Sequence, residues 1–533
     1  MSPLVPSAKD SVLRYVLDHW AGVQPETTFA CFEDGSTWSY AETHQHTRKL
    51  AAALQSIGIR QGDHVVVWLP NSKDALVSFF AINYIGAVFV PINVAYRGPL
   101  LEHVIAVSDA KVMIAHGLLV DRLNDVKHGL LETLVVAGEA NAQIGRLDHL
   151  DFESIQETVA EPSEPERPIE PWHTQSIIFT SGTTGLSKGA LSTYIHAYVS
   201  MNDQSWYCVD KQDRYLINMP FFHIGGSFIL YSMLCRGASI TLTETFRTKS
   251  FWSTVRATGS TVVFLLGTMA SFLMKEPLTE KDRDHPLKKA FIVPITPDLT
   301  AFTDRFGVEI YTIFNMTEIS SPIVSKIDQV DAGFCGKPRQ GYELRVVDND
   351  DLEVPDGQVG ELIMRADLPW SLSTAYYKNP EATAKTWRNG WFHTGDAFRK
   401  DDDGNFYFVD RLKDAIRRRG ENISSSEVEA VVMEHEAVRE CAAVAVPSEW
   451  GEDEVLLVLA LKDGEQLAPE SLLDYLRPRM AHFMLPRYIR LMAELPKTPT
   501  AKIQKAELRS EGLTIDTWDR EAAGVDIRGE RFS

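Results

Sequence analysis

Short runs of consecutive apolar, β-prone residues punctuate the first four hundred positions, with helical patterns between them. The runs are HVVVWLP (64–70), AVFVPI (87–92), KVMIA (111–115), TLVVAG (133–138), SIIFT (176–180), SITLT (239–243), TVVFLL (261–266) and VEIYTIF (308–314). A strand without polar alternation is one buried on both faces, so this pattern predicts βαβ units and sheets covered by helices. Residues 75–96 carry no charge and are long enough to suggest a membrane span, but Gly86 and Pro91 divide them. The punctuation predicts a buried helix, a turn and a strand instead. The Pro/Glu-rich stretch EPSEPERPIEP (161–171) predicts an exposed, extended connector.

After Asp410 the texture changes. The charged segment RLKDAIRRRGEN precedes a helical SSEVEAVVMEH, strand-like CAAVAV and VLLVLAL, and a helical LLDYLRPRM. The chain is therefore expected to be an α/β protein with a large multi-sheet N-terminal domain, residues 1–412, and a smaller, mobile α+β C-terminal domain, residues 413–533.

Bulk composition narrows the function. Its 533 residues exceed one ordinary domain, and 44% hydrophobic with 24% charged residues can bury a sizeable core. A formal charge of −20 disfavours nucleic acid as a partner, so any phosphate must be held by local donors. The five cysteines are scattered, without CxxC spacing, which argues against a disulfide framework and a zinc site and for a reducing, cytoplasmic setting. The first residues lack the basic start and apolar run of a secretory signal, and no transmembrane segment is expected.

Candidate chemistry begins at residues 177–189, IIFTSGTTGLSKG, a strand opening into a loop of Gly and hydroxyl residues that closes on Lys188. Gly182 and Gly185 permit close backbone approach to a phosphate, and the Thr180, Ser181, Thr183 and Thr184 hydroxyls can donate to its oxygens. A Walker loop would place a second Gly where Ser187 stands and Ser or Thr where Gly189 stands, so this is a different oligophosphate cradle.

TSGTTGLSKG resembles the phosphate loop of the acyl-adenylate-forming superfamily, which holds the AMP-dependent acyl-CoA synthetases. Further motifs recur in that family's order: PFFHIGG (220–226), FNMTE (314–318), WFHTGD (391–396), DRLKDAIRRRGENISSSEVE (410–429) and LPKTPTAKIQK (495–505). In appearance the chain is most similar to crotonobetaine/carnitine-CoA ligases. The resemblance spans nearly the whole chain and implies ATP, Mg2+ and coenzyme A as co-substrates and cofactor, with a small-molecule carboxylic acid as the group activated. An acyl-AMP ligase that loads a carrier protein and a catalytically silent nucleotide-binding homologue are the alternatives. A homodimer is left open.

The resemblance also implies roles. Thr317 meets the α-phosphate and Glu318, with Thr180, holds Mg2+; Phe314 stacks on adenine; Asp396 takes the ribose and Arg411 the ribose or a phosphate. His223 lies near the acyl and thiol junction, and Gly420 leaves room for the pantetheine arm. Lys502 bridges the attacking carboxylate and the α-phosphate, where a cation offsets the meeting of two anions. Three departures stand out: Asn315 where the family usually has Gly, Ala501 where it usually has Gly, and IVPITPDL (292–299) in place of a Gly/Ala-rich segment.

Overall fold

The computed structural model describes residues 5–157, 161–180, 186–293, 295, 299–327, 333–411, 415–418, 421–449, 451–496 and 503–525. Each of the eight apolar runs lies on a strand. Five of them build a seven-stranded sheet with a short outer strand, Asp148–Asp151. From that edge the order runs through Thr133–Ala137, Val112–His116, His64–Trp68, Val88–Pro91 and Thr174–Thr180 to Lys188–Thr193. All neighbours are parallel except the last pair, which is antiparallel. The other three runs join an eight-stranded sheet whose parallel centre includes Arg214–Ile217 and Lys289–Val293.

One core holds both sheets together. Val65, Phe89 and Ile114 of the first sheet and Tyr215, Ile217 and Ile240 of the second pack with the helices Leu13–Val23, Tyr40–Ser56, Lys73–Tyr84 and Ile224–Cys235. The uncharged stretch 75–96 becomes the helix Lys73–Tyr84, a turn at Gly86 and the strand Val88–Pro91. Gly86 adopts φ +75°, and a Cβ there would approach Gln61 Cγ to 2.9 Å, so the break needs glycine. Among the described residues no helix is long and apolar enough to cross a membrane.

A third, antiparallel sheet comprises Phe334–Gly336, Tyr342–Val347, Gly360–Ala366, Trp387–Arg388, Trp391–Lys400 and Phe406–Arg411. The Pro/Glu connector has no helix or strand and is tied down by ion pairs from Arg14 to Glu164 and from Arg48 to Glu161.

Beyond residue 414 a separate α+β unit forms. Val438–Pro447 and Asp453–Leu461 pair antiparallel, Tyr488–Leu491 adds in parallel, and the helices Ser425–Met433 and Pro469–Leu476 accompany them. The charged segment that opens it is an antiparallel pair, Ala415–Arg418 with Glu421–Ser424. Arg418 is buried, pairs with Glu454 at 2.6 Å and donates to the Phe483 and Leu485 carbonyls, which anchors this pair to the unit's body.

Candidate active site

The strands Thr174–Thr180 and Lys188–Thr193 pair so that Thr180 lies opposite Lys188. The phosphate-loop residues between them, Ser181, Gly182, Thr183, Thr184 and Gly185, lie outside the described residues, as do Lys502, Gly420 and the expected domain junction at Lys413. The two stems of the loop open into a cavity of about 1040 Å3 that runs between the large body and the small unit.

Glu309–Met316 and Ser320–Lys326 reverse direction within three residues, and Ser320 takes φ +62° to close the turn. Thr317 and Glu318 are thereby held at the cavity wall on a turn between two strands. Glu318 is 5% exposed and its Oε1 accepts from the Tyr376 hydroxyl at 2.7 Å and from Thr180 Oγ1 at 3.5 Å. The Lys188 ammonium sits 4.8 Å from the Tyr376 ring centroid. Burial pushes the Lys188 pKa down, and the Glu318 carboxylate partly offsets this.

The pairing slips between Phe314 and Met316, leaving Asn315 at the irregularity, where it lines the cavity. Phe314 differs from expectation. Its ring is not part of the cavity wall; it packs edge-on against Phe398 at 4.8 Å, in the apolar layer with Ile319, Ile323 and Phe392. Burying an aromatic face on both sides of the strand end outweighs presenting it to the cavity in this arrangement.

Asp396 lines the cavity at 4% exposure and stands directly opposite Arg411 in the pairing of Trp391–Lys400 with Phe406–Arg411. His223 precedes the helix Ile224–Cys235, whose Gly226 fits where a Cβ would meet the Pro220 carbonyl oxygen at 2.3 Å. Its Nε2 lies 3.1 Å from Glu421 Oε2, which comes from the small unit. A second contact across the same boundary joins Ser187 Oγ to Glu427 Oε1 at 2.7 Å. Burial raises the Glu427 carboxyl to about 7, against the lowering effect of its hydrogen bonds from Ser187.

The residues that follow Lys502 are described from Ile503 onward. Ile503 packs on the small unit's core, and Lys505 is engaged by Ser425 at 2.8 Å and Glu429 at 2.7 Å. Tyr376 and Glu427 are the site residues that motif reading did not single out. Tyr376 stands in STAYYKNPEAT, whose adjacent tyrosines were the available signal, and Glu427 lies inside the quoted SSSEVE without a role.

An α/β body of two helix-packed sheets, a small α+β unit closing one cavity, and a carboxylate at the stem of a Gly/Thr loop define a nucleotide-using ligase of the adenylate-forming class. The family model described as AMP-binding enzyme matches residues 17–377, and the AMP-binding enzyme C-terminal domain matches residues 427–502. The chain belongs to the AMP-binding enzyme family. It is 28% identical over 515 residues to a crotonobetaine/carnitine–CoA ligase of Salmonella arizonae, covering 93% of this chain and 98% of that protein. The enzyme of the same name from Proteus mirabilis is 29% identical, with the same coverage. In fold it is similar to a doubly substituted o-succinylbenzoate–CoA synthetase from Bacillus subtilis, with TM-score 0.81 at 22% identity over 93% of this chain and 98% of that one. It is also similar to an amide bond synthetase from Marinactinospora thermotolerans, with TM-score 0.80 at 24% identity over 94% and 99%.

Proposed function

We propose that the chain activates a small, polar carboxylic acid with ATP, giving acyl-AMP and pyrophosphate, and then transfers the acyl group to coenzyme A. The observation that carries this reading is one cavity lined by two groups of residues. Its lining holds both Thr180, Lys188 and Glu318 and, from the two sides of the domain boundary, His223 facing Glu421.

In the first half-reaction the carboxylate attacks the α-phosphorus. Thr317 donates to the α-phosphate, Lys188 meets the terminal phosphates, Asp396 and Arg411 hold the ribose, and Lys502 bridges the two anions. Glu318 would hold Mg2+ together with Thr180. The donors fit: a carboxylate and a hydroxyl are hard oxygen ligands. No group of three or more His, Cys, Asp or Glu among the described residues offers a closed metal cage. A magnesium ion held by one or two protein oxygens takes the rest of its shell from substrate phosphates and water. Bound there, it would neutralise charge on the phosphates.

In the second half-reaction the small unit, pivoting at Lys413, moves Lys502 away and brings the segment of Gly420 and Glu421 to the acyl group. The contacts Glu421–His223 and Ser187–Glu427, with Lys505 turned into the small unit, support reading the described arrangement as this second state. Asn315 on the cavity wall supports a polar acid, in line with the names of the relatives. The free, scattered cysteines support a cytoplasmic setting.

The test is pyrophosphate release across a panel of acids, with and without CoA. Release with small polar acids and thioester only with CoA is expected. Release without thioester would point to a carrier protein as acceptor, and no release with any acid would overturn the reading.

A further inference from the structure

Residues 373–377 are joined to two parts of the phosphate end at once. Leu191 N donates to the Ala375 carbonyl at 2.9 Å, Tyr377 N to Gly189 at 2.7 Å, and Ala190 bridges Tyr376. The segment thus adds to the edge strand that leaves the phosphate loop. On its other side Ser373 N donates to the Glu318 carbonyl at 2.7 Å. Tyr376 stands where these ties converge. Its ring meets Trp387 edge-on at 5.8 Å and Lys188 on its face, and its backbone N donates to Thr383 Oγ1 at 3.0 Å.

We propose that Tyr376 is the positioning residue of the metal–phosphate end, its hydroxyl fixing which oxygen of Glu318 is free and its ring face fixing the Lys188 ammonium. The inference rests on the assignment of that end to Mg-ATP. Tyr376 directs its hydroxyl at Oε1, Thr180 Oγ1 stands 3.5 Å from both Oε1 and the Lys188 carbonyl oxygen, and no hydrogen bond from the described residues reaches Oε2. A carboxylate saturated on one oxygen and locked in rotation offers the other to a cation in one direction. Outer partners of this kind set ligand orientation and basicity. The phenol, buried at 7% exposure, donates to the carboxylate at 2.7 Å. The same ring presents its electron-rich face to Lys188, so one side chain couples the groups that meet opposite charges on the ligand.

The test compares binding of a fluorescent ATP analogue in EDTA and in Mg2+, with Mn2+ binding to the same complex followed by electron paramagnetic resonance. Tyr376→Phe keeps the ring and loses the hydroxyl. It is expected to weaken the metal-dependent gain in nucleotide affinity by about 10-fold, the lower end for loss of an outer partner, with binding in EDTA unchanged. Tyr376→Leu should also weaken binding in EDTA, because Lys188 loses its support. Trp387→Leu removes the ring's edge contact together with an edge contact to Phe392 and should give a smaller loss of the metal-dependent gain, which keeps the idea testable if the tyrosine variants fold poorly. A wild-type gain that persists undiminished in Tyr376→Phe overturns the positioning role. Absence of any metal-dependent gain in the wild type overturns the Mg-ATP assignment itself, and this inference with it.

Discussion

Replacing Glu427 with Gln tests whether the small unit's docking on the phosphate-loop stem is titratable. The carboxyl is 3% exposed, accepts from Ser187 Oγ at 2.7 Å, and has Tyr96 and His103 around the same serine. Burial lifts it from an ordinary 4.5 to about 7. A raised carboxyl binds its proton more tightly in the docked arrangement than in one where it is solvated. Docking is therefore most favoured below pH 4.5 and loses ground as pH rises, until the docked carboxyl also ionises near 7. About 2.5 pH units at ~1.4 kcal/mol each give a loss of about 3 kcal/mol, an order-of-magnitude figure. The amide introduced by Glu427→Gln keeps the shape and an acceptor for Ser187 but cannot ionise. The assay is acyl transfer from supplied acyl-AMP to CoA, taken as the ratio of variant to wild type at each pH, so that ionisation of the CoA thiol cancels. Between about pH 5.5 and 8 the ratio should climb about 30-fold and level off above about 7, if docking limits the rate. A flat ratio, or one that climbs only above about pH 8, would refute the reasoning.

Lys502→Ala should cut acyl-AMP formation, followed by pyrophosphate release, by at least about 10²-fold while leaving thioester formation from supplied acyl-AMP largely intact; equal losses in both steps would contradict its role. Asn315→Gly should shift selectivity towards bulkier apolar acids by about 1–3 kcal/mol in relative kcat/KM, measured on a substrate panel, and an unchanged rank order would exclude it as pocket wall. Gly226→Ala should destabilise the fold by about 1–3 kcal/mol, read as a drop in thermal midpoint, because the new Cβ would fall 2.3 Å from the Pro220 carbonyl oxygen.

What the sequence settled by itself was the buried part of the fold. Strands such as His64–Trp68 and Val262–Leu266 carry apolar residues on both faces, which a helix-covered parallel sheet accommodates, so their existence and class follow from local composition. Gly86 and the charged texture after Asp410 likewise marked a turn and a new unit without reference to distant residues. A phosphate loop could be proposed from the sequence for a similar reason: its Gly and hydroxyl residues are contiguous in the chain. Strand order was not legible, since pairing Thr28–Phe32 with Ser239–Leu242 depends on contacts across two hundred residues. Nor was the third sheet, whose strands such as Tyr342–Val347 mix buried and partly exposed positions and so lack an unbroken apolar run. Side-chain direction at a strand end was also beyond local pattern. Phe314 turns to Phe398, and Asn315 takes the cavity face, because the register slips between Phe314 and Met316. Tyr376 and Glu427 acquire their partners Glu318 and Ser187 only when residues 58 and 240 positions away are folded against them. The local chain dictates which groups are available and which segments must be buried; hydrogen bonds and charges closed over long loops are decided by the tertiary packing alone.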